Sequence, residues 1–503
     1  MPSLPKPLVL VLVAAMLLLL ISIRAADATH SERVIVRSVS RQRLEEAPDM
    51  LTAPPPLPLS VPPPSPSPPR PPPPPPRIAA WRLGRPVPVY PAGLGGYNIF
   101  RIPALCRAAK ALLAFAEARP TVEDNGSIDL VMRRSTDGGR TWSDLQVVVA
   151  GRDLAATSGT VGGMTVGNPV PIFLPPSSGQ PAGRLLLLFC SNAASVNEDA
   201  IREDTTVAAG AGRRVWLCRS TDGGATWSSP REITDGVKRA GWTWYATGPG
   251  GGLVLRNGTL VVPATHAVHG TNEDHSHVLA SHDGGESWTV GADAAYGTNE
   301  ACAAQLADDS LLLNARDLSS VRGGGPSRLL QRSTDGGASW GAAWRAARLA
   351  QPKSHRGCHG SMVAAQAGRA LFFAAPDSAL RRERLTLHRS DDGGRSWPRS
   401  LLLHAGPSAY SSLGLLPGGC LGVLFERGER RTSFFAEQIA FVRVPLAASS
   451  DVEVSPLGTL EGAKAPPGGA APAAQAQHGL QSPQQLIGNQ TTFASSGLLL
   501  DAA

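Results

Sequence analysis

Five copies of one short motif, Ser-x-Asp-x-Gly-x-x-Trp, restrict the possible folds of this chain more than any other feature. We call these motifs Asp boxes. Their first residues lie 85, 61, 52 and 57 positions apart, a spacing that suits one four-stranded sheet and its loops for each copy. An active site does not need five copies of one acid, so the repetition indicates architecture. The boxes begin at Ser135, Ser220, Ser281, Ser333 and Ser390.

Each box predicts a tight turn at the edge of a sheet. Its aspartate can accept backbone N–H bonds across the turn, its glycine tolerates a positive φ, and its tryptophan can pack between sheets. Short apolar runs such as RLLLLFC, GTLVVPA and CLGVLFE are bounded by glycine and polar residues, as strands are, and no long helical periodicity is present. We therefore expect an all-β fold, a six-bladed β-propeller, over residues 81–448.

Both ends of the chain differ from this middle. Residues 1–24 include an apolar run of sixteen residues, 8–23, which predicts a signal peptide or, if it is retained, a type II membrane anchor. Residues 25–80 predict a disordered stalk, since 16 of the 24 residues 53–76 are proline. Residues 449–503 predict a disordered low-complexity tail. This organisation indicates the secretory pathway, with the protein secreted, held in a lysosomal or vacuolar lumen, or anchored in a membrane.

Charge and cysteine content narrow the function classes. The net charge of +7 is spread along the chain without a block of five or six basic residues, which argues against nucleic acid and is compatible with an anionic substrate. The six cysteines lie far apart and form no Cys-x-x-Cys pair, so we expect no zinc site. Each of them can be a disulfide partner or a single buried thiol. Neither property determines the oligomeric state.

The Asp boxes, together with the stretch FRIPAL at residues 100–105, closely resemble the sialidase (neuraminidase) family. The resemblance covers residues 97–444 and implies a six-bladed β-propeller. It also implies a glycoside hydrolase, an exo-α-sialidase, that removes terminal sialic acids from glycoproteins, glycolipids or oligosaccharides with retention of configuration. The expected partner is thus a sialylated glycoconjugate, and neither a cofactor nor a metal ion is implied.

A sialic acid carries a carboxylate on its anomeric carbon, which planar guanidinium groups can bind through two hydrogen bonds at once. The resemblance implies three arginines for this purpose. Arg101 in FRIP matches the first, and Arg316 in LLLNARD matches the second. Arg382, eight residues before the last box, matches the third by its spacing, with Arg381 and Arg384 as competitors.

The nucleophile should be uncharged, because the carboxylate of the substrate would repel a second carboxylate. Sialidases are the glycosidases that use tyrosine in this role, and the matching residue in AYSSLGLLPGGCLGVLFERG is Tyr410. A phenol has a pKa near ~10 and therefore needs a base. The matching base in GTNEACAAQLADD is Glu300, and Glu426 in LFERG resembles the acid that orients Arg101.

The leaving group needs an acid, and the acid/base aspartate of the family corresponds to Asp124, five residues after Arg119 in a loop before the first box. Glu123 and Asp129 are the local competitors. Asp129 should lie on the following strand, and Glu123 does not match the motif. Arg119 is expected to contact ring hydroxyl groups of the bound sugar.

The segment GWTWYATGPGGG resembles the aromatic segment beside the glycerol side chain of the sugar. Of its aromatic residues, Trp242, Trp244 and Tyr245, we expect Tyr245 to contact the substrate. The sequon at Asn125 lies next to the proposed acid, where a glycan would obstruct the substrate. We therefore expect Asn125 to be unmodified and Asn257 to be the glycosylated residue.

Two alternatives stay open at the level of sequence. A propeller with Asp boxes can bind glycans or proteins without catalysis, but such a protein needs the arginines and not the acid or the nucleophile. A catalyst of this kind could also transfer sialic acid to another sugar, or act on deaminated sialic acid.

Overall fold

The computed structural model describes residues 83–177, 180–203, 212–271, 273–319, 327–429 and 434–446. The signal peptide or anchor, the stalk and the tail predicted for residues 1–24, 25–80 and 449–503 lie outside these ranges. Within them, no helix is long and apolar enough to cross a membrane.

Antiparallel strands dominate the described residues, which confirms the all-β prediction. Strand β1 (Val87–Pro91) pairs with the last strand of the chain. The first sheet has the order β2 (Ile99–Ala108), β3 (Ala111–Arg119), β4 (Asp129–Ser135) and β5 (Gln146–Val149). The second sheet has the order β6 (Met164–Leu174), β7 (Arg184–Ala193), β8 (Arg214–Ser220) and β9 (Arg231–Glu232).

The third and fourth sheets repeat this plan. In the third, β10 (Trp242–Thr247), β12 (Leu260–Val268), β13 (Glu273–Ser281) and β14 (Thr289–Val290) lie in this order, and β11 (Leu253–Val254) pairs with β12. The fourth consists of β15 (Thr298–Gln305), β16 (Leu311–Asp317), β17 (Ser327–Ser333) and β18 (Trp344–Ala350).

The last sheet has seven strands. It runs through β19 (Ser361–Ala365), β20 (Ala370–Pro376), β21 (Glu383–Ser390), β22 (Arg399–Leu416), β23 (Cys420–Arg427) and β24 (Gln438–Pro445) to β1. The described helices are short: α1 (Gly151–Ser158), α2 (Glu198–Arg202), α3 (Thr234–Val237) and 3-10 turns at Leu94–Gly96, Ser354–Arg356 and Gln366–Gly368.

The sheets pack face to face in chain order and return to the start. Strand β2 contacts β6, β6 contacts β10, β12 contacts β15, β15 contacts β19, and β22 and β23 contact β2 again. Buried apolar clusters fill each of these interfaces, so the core is divided among them. The result is a β-propeller-like arrangement of four small sheets and one seven-stranded sheet.

The five Asp boxes occupy equivalent turns, each between the third and fourth strands of a blade-like unit. In the second box, Ser220 Oγ and the Thr226 N–H donate to Asp222 Oδ1 at 2.8 and 3.0 Å, and the Gly224 N–H donates to Ser220 Oγ at 2.9 Å. The other boxes repeat these three contacts. This confirms the prediction that the box aspartates hold turns.

The box tryptophans pack between neighbouring sheets, as expected. Trp227 of the second sheet meets Phe115 of β3 edge to face, with ring centroids 5.9 Å apart. Trp142 of the first sheet meets Phe441 of β24 in the same way at 5.5 Å. Each box therefore closes a turn and fills part of an interface at the outer side of its sheet.

Replacing Asp222 with alanine should destabilise the fold without changing substrate affinity per folded molecule. Loss of its hydrogen bonds should lower the free energy of unfolding by ~1–3 kcal/mol in chemical denaturation. Asp144→Ala removes an exposed aspartate just after the first box and should change that free energy by less than ~0.5 kcal/mol. Loss of substrate binding at unchanged stability would contradict the scaffold role.

The same variant should alter acid denaturation. Burial opposes ionisation, but hydrogen bonds from Thr226 and Ser220 lower the pKa of Asp222 to about 2, below the ~3.9 of an unfolded chain. The carboxylate therefore stabilises the fold above about pH 4, and this contribution is lost as the pH falls toward 2. Asp222→Ala should lack this contribution, so the stability difference between the two proteins should shrink on acidification.

Candidate active site

One cavity of about 630 Å³ brings together seven of the nine site residues expected from the sequence: Arg101, Arg119, Asp124, Glu300, Arg316, Arg382 and Tyr410. The other two residues, Glu426 and Tyr245, are fully buried behind its wall. None of the box aspartates lines this cavity.

Irregular strand pairing positions several of these side chains. Strand β2 slips against β3 just after Arg101, β15 slips against β16 around Glu300, and β22 slips against β23 around Tyr410. Such β-bulges interrupt the regular alternation of side chains and can aim one of them toward a site. The first strands of different sheets thereby direct polar residues into one cavity.

Tyr410 and Glu300 form a buried pair on the cavity floor. The Tyr410 hydroxyl donates to the Glu300 carboxylate, with its oxygen 2.6 and 2.7 Å from the two carboxylate oxygens. Arg316 Nη1 donates to Glu300 Oε2 at 2.7 Å and to Tyr410 Oη at 3.3 Å. Burial and the Glu300 charge raise the pKa of Tyr410 well above its usual value. Although burial opposes it, Arg316 lowers the pKa of Glu300, so a neutral phenol faces a charged acceptor.

Three arginines of the cavity were expected to bind the carboxylate of the substrate, and we call them the clamp: Arg101, Arg316 and Arg382. Oxygen atoms of the protein accept hydrogen bonds from all three. Arg101 Nε donates to Glu426 Oε1 at 2.8 Å. Arg382 donates through Nε and Nη2 to the Gly357 carbonyl at 3.1 and 2.9 Å, and Arg316 Nε donates to the Arg356 carbonyl at 2.9 Å. Within the described chain, both Nη groups of Arg101 and Nη1 of Arg382 have no hydrogen bond. These donors are available to an anion in the cavity.

Two aromatic rings flank this clamp. The guanidinium carbons of Arg101 and Arg382 each lie 5.4 Å from the Tyr410 ring centroid, and 5.1 and 5.4 Å from that of Phe435. Phe435, which also lines the cavity, was not singled out in the sequence, because no local motif marks it and its two arginine partners lie far away along the chain. Both rings favour the charged guanidinium groups through cation–π contact.

The competitors for the third arginine do not enter the cavity. Arg382 is buried and lines it, whereas Arg381 and Arg384 are exposed and do not. Arg382, the residue expected from the spacing, is therefore the one that the fold brings to the other two arginines.

Asp124 lies in the loop between β3 and β4, at the mouth of the cavity. Its Oδ1 accepts a hydrogen bond from Arg119 Nη1 at 2.6 Å and lies 3.6 Å from Arg101 Nη1. The side chain is 72% exposed, which leaves it open to a group entering from solvent. Desolvation opposes ionisation, but Arg119 and Arg101 outweigh it and lower the pKa of Asp124 to about 2.

The acidic competitors of Asp124 differ in position. Asp129 lies at the start of β4 and accepts hydrogen bonds from Tyr97 Oη at 2.5 Å and the Gly151 N–H at 2.7 Å, outside the cavity. Glu123 lines the cavity, and its backbone carbonyl accepts a hydrogen bond from Arg119 Nη1 at 2.9 Å.

Two buried glutamates support the cavity wall. Glu426 accepts from Arg101, as predicted, and also from the Ile102 N–H at 2.8 Å and the Tyr410 N–H at 3.1 Å. Glu117 accepts from Arg119 Nε at 2.9 Å and from the Asn168 N–H at 2.8 Å. Glu117 was not among the residues expected from the sequence, although its place two residues before Arg119 puts both on one face of β3.

The expectation for Tyr245 requires correction. Its side chain is completely buried in the core between the second and third sheets, where its hydroxyl lies 2.9 Å from His277 Nε2. It therefore cannot contact a ligand in the cavity. Trp244 is the aromatic residue of this segment that lines the cavity, and the guanidinium carbon of Arg213 lies 4.4 Å from its ring centroid.

The remaining expectations concern metals, cysteines and glycans. No group of three or more histidine, cysteine or acidic side chains in the described ranges could hold a metal ion. All six cysteines are free thiols, and five of them are buried. Asn125 lines the cavity and donates through Nδ2 to the Ala194 carbonyl at 3.2 Å, whereas Asn257 is exposed; their glycosylation stays a prediction.

Known proteins that are similar to this chain include sialidases. The model of the BNR repeat-like domain family matches residues 110–423. A sialidase from Bacteroides fragilis is 30% identical over 391 residues, 70% of this chain and 64% of the relative. A sialidase from Micromonospora viridifaciens is 31% identical over 349 residues, 67% of this chain and 51% of the relative.

A solved structure of a Hadza microbial sialidase superposes with a TM-score of 0.59 at 28% identity, covering 72% of this chain and 68% of that one. This chain spans between about half and two-thirds of the length of the two curated relatives. Because the family model matches more than half of the chain, the chain belongs to the BNR repeat-like domain family, and the two curated relatives that it resembles are sialidases.

Proposed function

We propose that this protein is an exo-α-sialidase that hydrolyses terminal sialic acids with retention of configuration, through a covalent intermediate on Tyr410. The buried contact between Tyr410 and Glu300 beside the arginine clamp carries this proposal. A propeller that only binds glycans has no use for a phenol paired with a base, nor for an exposed acid at the cavity mouth. Sialylated glycoconjugates are the proposed substrates.

Binding begins with the carboxylate of the substrate. The Nη groups of Arg101 and Nη1 of Arg382, which have no hydrogen bond within the described chain, offer planar donors to its two oxygens, with Arg316 beside them. Because Glu426 and backbone carbonyls already hold these arginines, little reorganisation is needed when the anion arrives. The clamp sets the anomeric carbon next to Tyr410 Oη.

In the first chemical step, Tyr410 Oη forms a bond to the anomeric carbon while the glycosidic C–O bond breaks. The phenol proton passes to Glu300, which already accepts its hydrogen bond. Asp124 gives a proton to the departing oxygen. The neutral phenol can approach because it does not repel the bound carboxylate.

In the second step, water replaces Tyr410 on the anomeric carbon. Asp124, now ionised, takes a proton from the water, and Glu300 returns its proton to the departing Tyr410 oxygen. Two displacements at one carbon retain the configuration. A sugar hydroxyl in place of water would give transfer instead of hydrolysis.

Substrate binding should itself prepare Asp124 as an acid. In the free cavity, Arg119 and Arg101 keep its pKa at about 2. A bound carboxylate neutralises much of the field of Arg101, so the pKa of Asp124 rises in the complex. The acid is therefore protonated at a pH where it is ionised in the free protein.

We also propose that the sheets form six blades. Residues 399–407 of β22 pair with β21, whereas residues 408–416 pair with β23, so one long strand joins two four-stranded units. A separate apolar cluster lies between these two units. The second unit is completed by β1, which pairs with β24 and closes the ring.

Tyr410→Phe should lower kcat for hydrolysis by roughly 10³-fold or more, because the nucleophilic oxygen is removed. Binding of an unsaturated sialic acid inhibitor should change little, since the arginine clamp remains. The measurements are turnover of a fluorogenic sialoside and inhibitor affinity by calorimetry. A variant that retains full turnover would refute the assigned nucleophile.

A covalent trap gives an independent check of this step. A 3-fluorosialosyl fluoride should label the unmodified protein on the peptide that contains Tyr410, as read by mass spectrometry. Label on Glu300 or Asp124, or an inverted product by NMR, would reject the mechanism even if the protein proves to be a sialidase.

Asp124→Ala should depend strongly on the leaving group. With a sugar as leaving group, kcat/KM should fall by ~10²–10⁴-fold, whereas an activated aryl glycoside that departs without a proton should be far less affected. In the unmodified protein, kcat should fall as the pH rises through the raised pKa of Asp124 in the complex. Equal losses for both substrates, or an unchanged basic limb in Asp124→Ala, would point to another acid.

Arg382→Lys keeps the charge but loses the planar fork, so kcat/KM should fall roughly tenfold to hundredfold. Arg384→Lys, at an exposed position outside the cavity, is the matched control and should stay within a factor of two of the original protein. A loss confined to Arg384→Lys would contradict the assignment of the third arginine.

A further inference from the structure

Another arginine of the cavity, Arg213, has no part in the mechanism above. It lines the cavity and is only 3% exposed. Its Nε donates to the Tyr245 carbonyl at 3.1 Å, its Nη1 to Asn192 Oδ1 at 2.5 Å, and its Nη2 to Asn168 Oδ1. All three acceptors are neutral. Each terminal nitrogen carries two N–H groups and uses one here, so two donors remain.

The four buried arginines of the cavity fall into two classes. Arg101 and Arg119 each have a carboxylate partner. Arg213 and Arg382 have none among the residues that the structure describes, and both are held by neutral oxygens. A buried charge without a counterion is costly unless further polar partners compensate. For Arg382 the proposed function supplies that partner, the carboxylate of the substrate.

We propose that Arg213 is a substrate-binding residue that donates hydrogen bonds to an uncharged oxygen on the half of the sialic acid remote from its carboxylate. This proposal rests on the proposed function of the cavity. The clamp residues come from the first, fourth and last sheets, whereas Arg213 precedes β8 of the second sheet and stacks on Trp244 of the third. A sugar held by its carboxylate therefore extends its other end toward Arg213.

Two groups on that half of the sugar carry oxygen acceptors. One is the acyl group on the nitrogen at ring carbon 5, and the other is the hydroxylated three-carbon side chain at ring carbon 6. Uncharged acceptors suit this end of the cavity because Glu198 and Asp199 also line it and would repel a second anion.

The surroundings of Arg213 fix the direction of its donors. The Trp244 ring centroid lies 4.4 Å from the Arg213 guanidinium carbon, and Asn168 links Arg213 to the wall beside the proposed acid, Asp124. The Asn168 N–H donates to Glu117, which in turn binds Arg119. The donors of Arg213 are thus oriented before a ligand arrives, which is the condition for discrimination between substrates.

The test combines variants with altered substrates. Arg213→Met removes the donors and keeps an apolar stem, and Arg213→Lys keeps the charge. Arg214→Met is the matched control, since Arg214 lies outside the cavity and pairs with Glu232 at 3.5 Å. The substrates are a fluorogenic N-acetyl sialoside, an analogue with hydrogen in place of the acylamino group, and a seven-carbon analogue with a side chain shortened by periodate. Thermal unfolding checks that each variant is folded.

Arg213→Met should lower kcat/KM for the complete substrate roughly tenfold to hundredfold, and Arg214→Met should leave it unchanged. Removal of the contacted oxygen should lower kcat/KM in the original protein by a similar factor and should have little further effect in Arg213→Met. If the losses from Arg213→Met and from removal of the acylamino group do not add, the acyl group is the one that Arg213 contacts. If the losses from Arg213→Met and from the shortened side chain do not add, the side chain is the contacted group. If Arg213→Met and Arg213→Lys each lower kcat/KM by the same factor for all three substrates, the proposal is wrong and Arg213 has a structural role.

Failure of the proposed function gives a different result. Hydrolysis of any of the three substrates by the original protein supports sialidase activity whatever Arg213 does. If none is hydrolysed, calorimetry with the 2,3-unsaturated forms of the same three sugars applies the same comparison to binding. If Arg213→Met does not fold, Arg213→Lys carries the comparison, because it retains a buried cation while changing the donor geometry.

Discussion

The buried carboxylate of Glu426 is the interaction on which the candidate site depends. It has no solvent exposure and accepts hydrogen bonds from Arg101 Nε and from the N–H groups of Ile102 and Tyr410. A buried carboxylate of this kind is tolerated only when hydrogen-bond donors surround it. Because the donors come from β2 and β22 while Glu426 lies on β23, one side chain fixes Arg101 relative to Tyr410, the proposed nucleophile. The bulges in both strands release the N–H groups that it needs.

The sequence predicts those features whose cause is local. An Asp box completes its hydrogen bonds within a few residues, so the residues next to Asp222 were enough to assign it to a turn. Seven of the nine residues singled out from the sequence line one cavity, and each of them could be singled out because it lies in a short motif. The number of blades is harder to predict, because residues 399–407 of the 18-residue strand β22 pair with β21 and residues 408–416 pair with β23, and only strand pairing shows this change of partner.

Features that depend on register or on distant partners could not be predicted. The pairing of β10 with β12 slips between Trp242 and Tyr245, and this slip helps to decide which ring faces the cavity. Nothing in the segment itself encodes it, so Tyr245 was chosen over Trp244. Arg213 was not predicted from the sequence for a different reason. Its significance lies in the absence of a carboxylate partner within the described fold, which becomes apparent only when the surrounding strands are in place.

The charged residues of the cavity differ in their partners and in their exposure to solvent. Arg119 and Arg101 are paired with glutamates, so their positions are fixed before a ligand binds, and yet Arg101 keeps Nη donors for an anion. Asp124 shares these two arginines and remains exposed, and in the proposed mechanism a bound anion changes its protonation by offsetting the charge of Arg101. Glu300 and Tyr410 lie deeper and are shielded from water, where a hydrogen bond between a phenol and a carboxylate is stronger than in solution. The residues proposed as acid and nucleophile thus differ in environment, because Asp124 is exposed to the solvent with which an acid exchanges protons, whereas Tyr410 is buried.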